Sequence, residues 1–156
     1  MKKIIFLIFL FFSINVFSQT TDWVKSFGGT ASDKGISIGT DSLGFIYCSG
    51  YFNNEATFGG ITFSNTGFNP FGNNNKENFI FKMDSTGNVL WVVAGGNLNG
   101  NCCDDRALGM HVTPGGDVFI TGTFWSSYYI GSCQVQNGPF GTGINSADNS
   151  LLAKLD

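Results

Sequence analysis

The sequence repeats itself at a fixed offset of 72 residues. Asp33-Lys-Gly-Ile-Ser-Ile-Gly-Thr-Asp-Ser-Leu-Gly-Phe-Ile-Tyr-Cys-Ser-Gly-Tyr-Phe52 aligns without a gap on Asp105-Arg-Ala-Leu-Gly-Met-His-Val-Thr-Pro-Gly-Gly-Asp-Val-Phe-Ile-Thr-Gly-Thr-Phe124. The same offset carries Phe79-Ile-Phe-Lys-Met-Asp84 onto Leu151-Leu-Ala-Lys-Leu-Asp156. A long fixed period restricts the fold more than any local pattern, because each unit must bury its apolar faces against its neighbours. Unit 1 covers about 33–96 and unit 2 about 105–156.

Each unit reads as short strands divided by glycine-marked turns. Ile36 and Ile38 alternate with Ser37 and Gly39, and Asp41-Ser-Leu-Gly44 offers a type I turn with glycine where a positive φ is needed. Phe45–Phe52 is the returning strand, Thr57–Phe63 a tight hairpin, Phe79–Asp84 the next strand, and Asp84–Asn88 turns into Val89–Ala94. Unit 2 repeats this with Leu108, Met110 and Val112 on one face, the turn Thr113-Pro-Gly-Gly116, and strands Val118–Phe124 and Leu151–Leu155. No stretch after the N-terminal segment has helical periodicity, so the class is all-β, with four main antiparallel strands and a side hairpin per unit. Val89–Ala94 and Phe45–Cys48 are apolar on consecutive residues, which requires cover on both faces of the sheet. Stacked β-propeller-type blades supply that cover.

Trp23-Val-Lys-Ser-Phe-Gly-Gly29 matches Trp91-Val-Val-Ala-Gly-Gly96, the last strand of a unit, yet it comes first, and unit 2 reaches Asp156 one strand short. Propellers typically need about 4 to 8 blades, so two units make an incomplete ring. Two expectations follow: the chain is a piece of a longer repeat protein with further blades in cis, or two-blade protomers form a homo-oligomer, head to tail, as a cyclic trimer or tetramer.

Lys2 and Lys3 followed by the apolar run Ile4–Phe12 read as a secretory signal, with cleavage expected after Ser18, giving a signal peptide over 1–18 and a mature chain over 19–156. The run is too short to span a bilayer, and no later segment is long enough. Eight basic residues against eleven acidic ones exclude a nucleic-acid partner. An aromatic content of 15% excludes a disordered exported tail.

Four cysteines in an exported chain allow two disulfides. Cys48 aligns with Ile120 in a strand and reads as a small buried hydrophobe. Cys102 and Cys103 are adjacent, and Cys103 paired with Cys133 would staple a loop to a hairpin. Zinc is disfavoured, because the ligand spacing is absent and His111 is the only histidine. His111 aligns with Gly39 and is expected to be polar and partly exposed, without a nucleophile partner. Asp33 with Asp105, and Asp84 with Asp156, could suggest a carboxylate pair, but residues recurring in each unit are expected to hold turns and loops. The loops Asp41–Gly44 and Asp84–Asn88 have too few oxygens for calcium. No catalytic, cofactor-binding or metal-binding residue is expected.

One aromatic cluster is not shared between the units. Trp125-Ser-Ser-Tyr-Tyr129 occupies the place of Asn53–Thr57, and Trp125, Tyr128 and Tyr129 could stack on a sugar. The competing reading packs this hairpin against the adjacent blade.

Asn78-Phe-Ile-Phe-Lys-Met-Asp-Ser-Thr-Gly-Asn-Val-Leu-Trp91, then Gly95-Gly96, Asp105-Arg-Ala and Gly116-Asp-Val-Phe-Ile-Thr-Gly-Thr123 together resemble the SBBP-type β-propeller repeat of secreted bacterial proteins. The signal-like start and the Phe- and Asn-rich composition resemble those of Bacteroidota. The resemblance implies a propeller fold and an extracellular life, and brings no catalytic residues or cofactor. The expected role is a non-catalytic module for binding, adhesion or scaffolding, with an extracellular protein or a glycan as partner. The alternatives are a two-blade protomer of a lectin-like oligomer and a part of a secreted polysaccharide-acting enzyme.

Overall fold

The computed structural model describes residues 20–65, 76–96, 104–124, 127–136 and 149–156. The signal-like segment over 1–18, Cys102, Cys103 and Trp125 lie outside them. The described residues form β1 (Lys34–Thr40), β2 (Ile46–Asn53), β3 (Glu55–Phe58), β4 (Ile61–Ser64), β5 (Lys76–Met83), β6 (Val89–Gly96), β7 (Arg106–Val112), β8 (Val118–Phe124), β9 (Ser127–Ile130), β10 (Cys133–Gln136) and β11 (Asn149–Leu155). No helix is present among them, and none is long and apolar enough to cross a membrane.

Unit 1 is the antiparallel meander β1-β2-β5-β6, and unit 2 is the three-stranded sheet β7-β8-β11. Their ladders are the same ladder written twice. Ile38↔Cys48 becomes Met110↔Ile120, Ile46↔Met83 becomes Val118↔Leu155, and Ile80 has the pairing position of Leu152. The connecting turns share one chemistry. The amides of Gly44, Gly87 and Gly116 donate to the carbonyls of Asp41, Asp84 and Thr113, and each glycine has a positive φ, where a Cβ would cost energy.

A β-bulge also recurs with the period. The register shifts between Gly35 and Ser37 in unit 1, and between Ala107 and Gly109 in unit 2. The extra residue in unit 2 is Leu108, so it leaves the face expected for it beside Met110 and Val112 and is exposed instead. The strict alternation expected for these first strands therefore holds only beyond the bulge.

Both faces of unit 1 are covered, as its consecutive apolar residues require. Tyr47 and Ile80 pack against Val118, Ile120, Phe124 and Leu151 of unit 2. On the opposite face, Phe52, Phe79, Phe81 and Met83 meet Ala56 and Phe58 of the β3-β4 hairpin, with Trp23 and Phe27 from the N-terminal segment. The Phe27 ring lies 4.8 Å from that of Phe81, and the Trp23 indole donates to the Ser85 carbonyl at 2.9 Å. The expected strand over 23–29 is reduced to one bridge, Gly28 to Thr57, because no sheet of its own flanks it among the described residues.

The two units also meet at their turns. Ser42 donates both its amide, at 3.1 Å, and its hydroxyl, at 2.7 Å, to the Pro114 carbonyl. Lys82 lies over the rings of Phe45 and Tyr47, at 4.2 and 4.9 Å, with Asp41 3.6 Å away.

Candidate functional site

Three of the buried polar residues of the described chain gather where one unit hands over to the next. Glu77 and Asn78 stand at the start of β5, just before its apolar run, and Asp105 stands just before β7. All three are buried. The Asn78 side-chain amide donates to the Tyr128 hydroxyl at 3.1 Å, while its carbonyl accepts from the Ala107 amide in a short hydrogen bond. One side chain of unit 1 thus pins both the first strand of unit 2 and its hairpin. A second tie lies beside it: Asp104 accepts from Lys76 at 2.7 Å and pairs closely with Arg106. Burial raises the Asp104 pKa, but the hydrogen bonds and charges of Lys76 and Arg106 outweigh it and leave the carboxyl below its ordinary value.

The hairpin β9-β10 does not stay within its own unit. It pairs through Gly95↔Ile130 and Gly96↔Tyr129 with the outer edge of unit 1, making one six-stranded sheet, β1-β2-β5-β6-β9-β10. The hairpin β3-β4 reaches back in the same way, from Thr57 to Gly28. Gly28 and Gly96 have φ of 133° and 132°. A Cβ on Gly96 would fall 1.5 Å from Glu77 Oε2, and one on Gly28 would fall 2.5 Å from Asp33 Oδ2. Each latch is therefore a glycine pressed against a carboxylate, with a hairpin clamped across it.

Hydrogen bonds within loops and turns account for two of the recurring acids, Asp33 and Asp84. Asp33 accepts from the amides of Gly29, at 2.6 Å, and Asn53, at 3.1 Å, and so ties the loop before β1 to the end of β2. Asp84 accepts from the amides and side chains of Thr86 and Asn88. The Asn88 amide and the Thr86 hydroxyl lead in lowering its pKa, burial opposes them, and the result is about 2. Asp41 is pulled up by burial, yet Tyr47, the amides of Phe45 and Leu43, and Lys82 hold it below the usual range. The expected structural role of Asp33 and Asp84 is what their bonds describe. Glu77, missed by the sequence reading, and Asp105, expected there to hold a loop, approach one another at Gly96, and at 1% and 2% exposure both are closed off from solvent. The signal for Glu77 was a polar pair, Glu77-Asn78, placed directly before the apolar run Phe79-Ile-Phe81.

The aromatic cluster separates in the structure. Tyr128 is buried, which corrects its reading as a ligand-stacking residue. Its ring packs on Phe124 and its hydroxyl points to Asn78. Burial pushes its phenol well above the ordinary pKa, the Asn78 hydrogen bond opposes this, and the charges of Asp105 and Glu77 add to it. Tyr129 points outward, 44% exposed, and its hydroxyl accepts from Gln134 at 2.8 Å. Trp125 lies outside the described residues. Cys133 is an exposed free thiol, while its expected partner Cys103 also lies outside them. Cys48 is half-buried and free, and burial raises its thiol pKa. His111 is exposed. No group of three or more His, Cys, Asp or Glu among the described residues could hold a metal ion.

A four-stranded antiparallel meander, whose ladder recurs in a three-stranded sheet stacked on its face without closing a ring, defines an all-β protein of propeller-type blades. Residues 22–54 match the beta-propeller repeat family, SBBP, and the chain carries a repeat of that family. The match runs from the N-terminal segment through β1 to the end of β2, and so straddles the Gly28 latch. No curated protein and no solved structure matches the chain.

Proposed function

We propose that the chain is a secreted, non-catalytic β-propeller repeat module serving extracellular binding, adhesion or scaffolding. The observation that carries this reading is the use made of the recurring acids. Asp33 and Asp84 are each engaged by several amides or side chains in a loop or turn, which leaves them structural work and no free carboxylate to present. The basic n-region and apolar run at the N-terminus support export. A lectin-like role is the second reading, and it rests on Tyr129, whose outward ring and hydroxyl suit stacking on a sugar.

Expression of the full chain in a Gram-negative host, with fractionation and N-terminal sequencing, tests the reading. The expected product lies outside the inner membrane and begins at Gln19. A full-length chain retained in the cytoplasm overturns export. A glycan array then separates the two binding readings: sugar binding that Tyr129→Ala abolishes without lowering the melting temperature supports the lectin-like role.

A further inference from the structure

We propose that Glu77 and Asp105 hold one proton between them, and that loss of this proton as the pH rises releases the β9-β10 hairpin from the edge of unit 1. The junction between the units is thereby a pH-sensitive latch, a property separate from export and from ligand binding.

The comparison of the two latches carries it. At Gly28 the nearest atoms are those of Asp33, whose carboxylate accepts from the amides of Gly29, at 2.6 Å, and Asn53, at 3.1 Å. Two amide donors favour the ionised form. Asp105 stands one period after Asp33 and lies at Gly96 as Asp33 lies at Gly28, since a Cβ on Gly96 would come within 3.1 Å of Asp105 Oδ2. Gly96 meets a further carboxyl, however. The same Cβ would overlap Glu77 Oε2, so two acids converge on one point, both closed off from solvent. Neighbouring carboxyls in such a place do not both ionise readily, and one keeps its proton into a higher pH range. The period says which one. Asp105 has the place of the amide-held Asp33, whereas the residue one period after Glu77 is Asn149, a neutral amide. Glu77 is thus the acid that carries the proton.

The charges around the pair fit a single proton. Lys76 and Arg106 both lie on Asp104, so Glu77, Asp104 and Asp105 together face two cations, and one proton makes the group neutral. Asn65 donates a neutral amide to Glu77 Oε1 at 2.9 Å. Glu55 of β3 is exposed and accepts from the Ser64 hydroxyl at 3.0 Å. Tyr128 of β9 is no source of the proton, because burial above all, and then the charges of Asp105 and Glu77, keep its phenol neutral.

The place where the acids converge is also the place where the hairpin is held. Gly95 pairs with Ile130 and Gly96 with Tyr129. Ionised Glu77 adds a second negative charge beside Asp105 there, which favours an open, solvated arrangement. A folded-state pKa raised above the unfolded glutamate value of about 4.3 stabilises fully below that value, and the stabilisation is lost as the pH rises through the folded one. Between the two, the unfolding equilibrium constant should rise on the order of tenfold per pH unit.

Carbon-13 NMR titration of the carboxyl groups in the chain over residues 19–156, with urea unfolding and amide hydrogen exchange across the same pH range, tests the proposal. The expected result is that Glu77 and Asp105 titrate in two steps, the upper one at least about one unit above the ordinary glutamate value. Through that step the amides of β9 should exchange faster, after correction for their intrinsic rates, than those of β8. Glu77→Gln, which keeps the shape and removes the proton, should abolish the upper step, the pH slope of stability and the pH-dependent exchange together. If both carboxyls titrate at or below their ordinary values, a measurement made on the native chain, the proposal is overturned. It is overturned equally if the upper step is present while exchange in β9 stays level through it, or if Glu77→Gln keeps the native pH slope.

Discussion

Replacing Asn78 with alanine should destabilise the protein more than its polar character suggests. Its side chain makes one bond as donor, to the Tyr128 hydroxyl at 3.1 Å, and one as acceptor, from the Ala107 amide. Both partners are fully buried, so truncation leaves two polar groups without a bond and without easy access to water. At about 1–3 kcal/mol for each orphaned group, the loss should be about 2–6 kcal/mol. Tyr128→Phe removes only one partner and leaves the Asn78 amide with one unmet donor, so it should cost about 1–2 kcal/mol. The double variant no longer has an orphaned hydroxyl opposite an alanine. Its loss should fall short of the sum of the single losses by about 1 kcal/mol, the coupling expected of one buried hydrogen bond. Urea unfolding of the four proteins, followed by tryptophan fluorescence, gives each value if the slopes agree. A loss below about 1 kcal/mol for Asn78→Ala, or strict additivity in the cycle, would refute the claim that this side chain pins the units together.

The bulge and the turns give further tests. A Cβ at Gly122 would fall 1.9 Å from the Arg106 carbonyl oxygen, and one at Gly50 would fall 2.0 Å from that of Lys34, so alanine at either position should cost at least about 1–3 kcal/mol. Gly35→Ala, which meets nothing within 4 Å, should change stability by no more than about 0.5 kcal/mol in chemical denaturation. Ile80→Ala should cost about 2–5 kcal/mol and Leu152→Ala about 0.5 kcal/mol or less in the monomer, though the two share one register position. The folded-state pKa of Asp84, about 2, lies below an unfolded value of about 3.9. Its contribution is therefore complete above the unfolded value and is lost as the pH falls toward the folded one. In acid titrations of stability, Asp84→Asn should flatten the slope in that window and leave the slope near neutrality unchanged.

The parts of this fold legible in the sequence are those determined by neighbours along the chain. The turn glycines Gly44, Gly87 and Gly116 announce themselves because a positive φ is a local demand, and the strands around them follow from their apolar runs. The bulge at Leu108 was hidden, since one extra residue shifts the alternation without changing the letters on either side of it. The path of β9-β10 was hidden for a different reason. Tyr128 and Tyr129 look alike in sequence, and only the pairing of Gly95 and Gly96 with the hairpin turns one ring into the core and the other to solvent. Ile80 and Leu152 take this one step further. Their ladders are the same, and their exposures of 0% and 76% differ only because unit 2 stands on one and nothing described stands on the other. In a repeat protein the period thus determines which residues pair, while burial belongs to the stack. An apolar residue that is exposed at a position buried in the neighbouring unit therefore reports on what the next blade should cover, and Leu152 is where that can be measured.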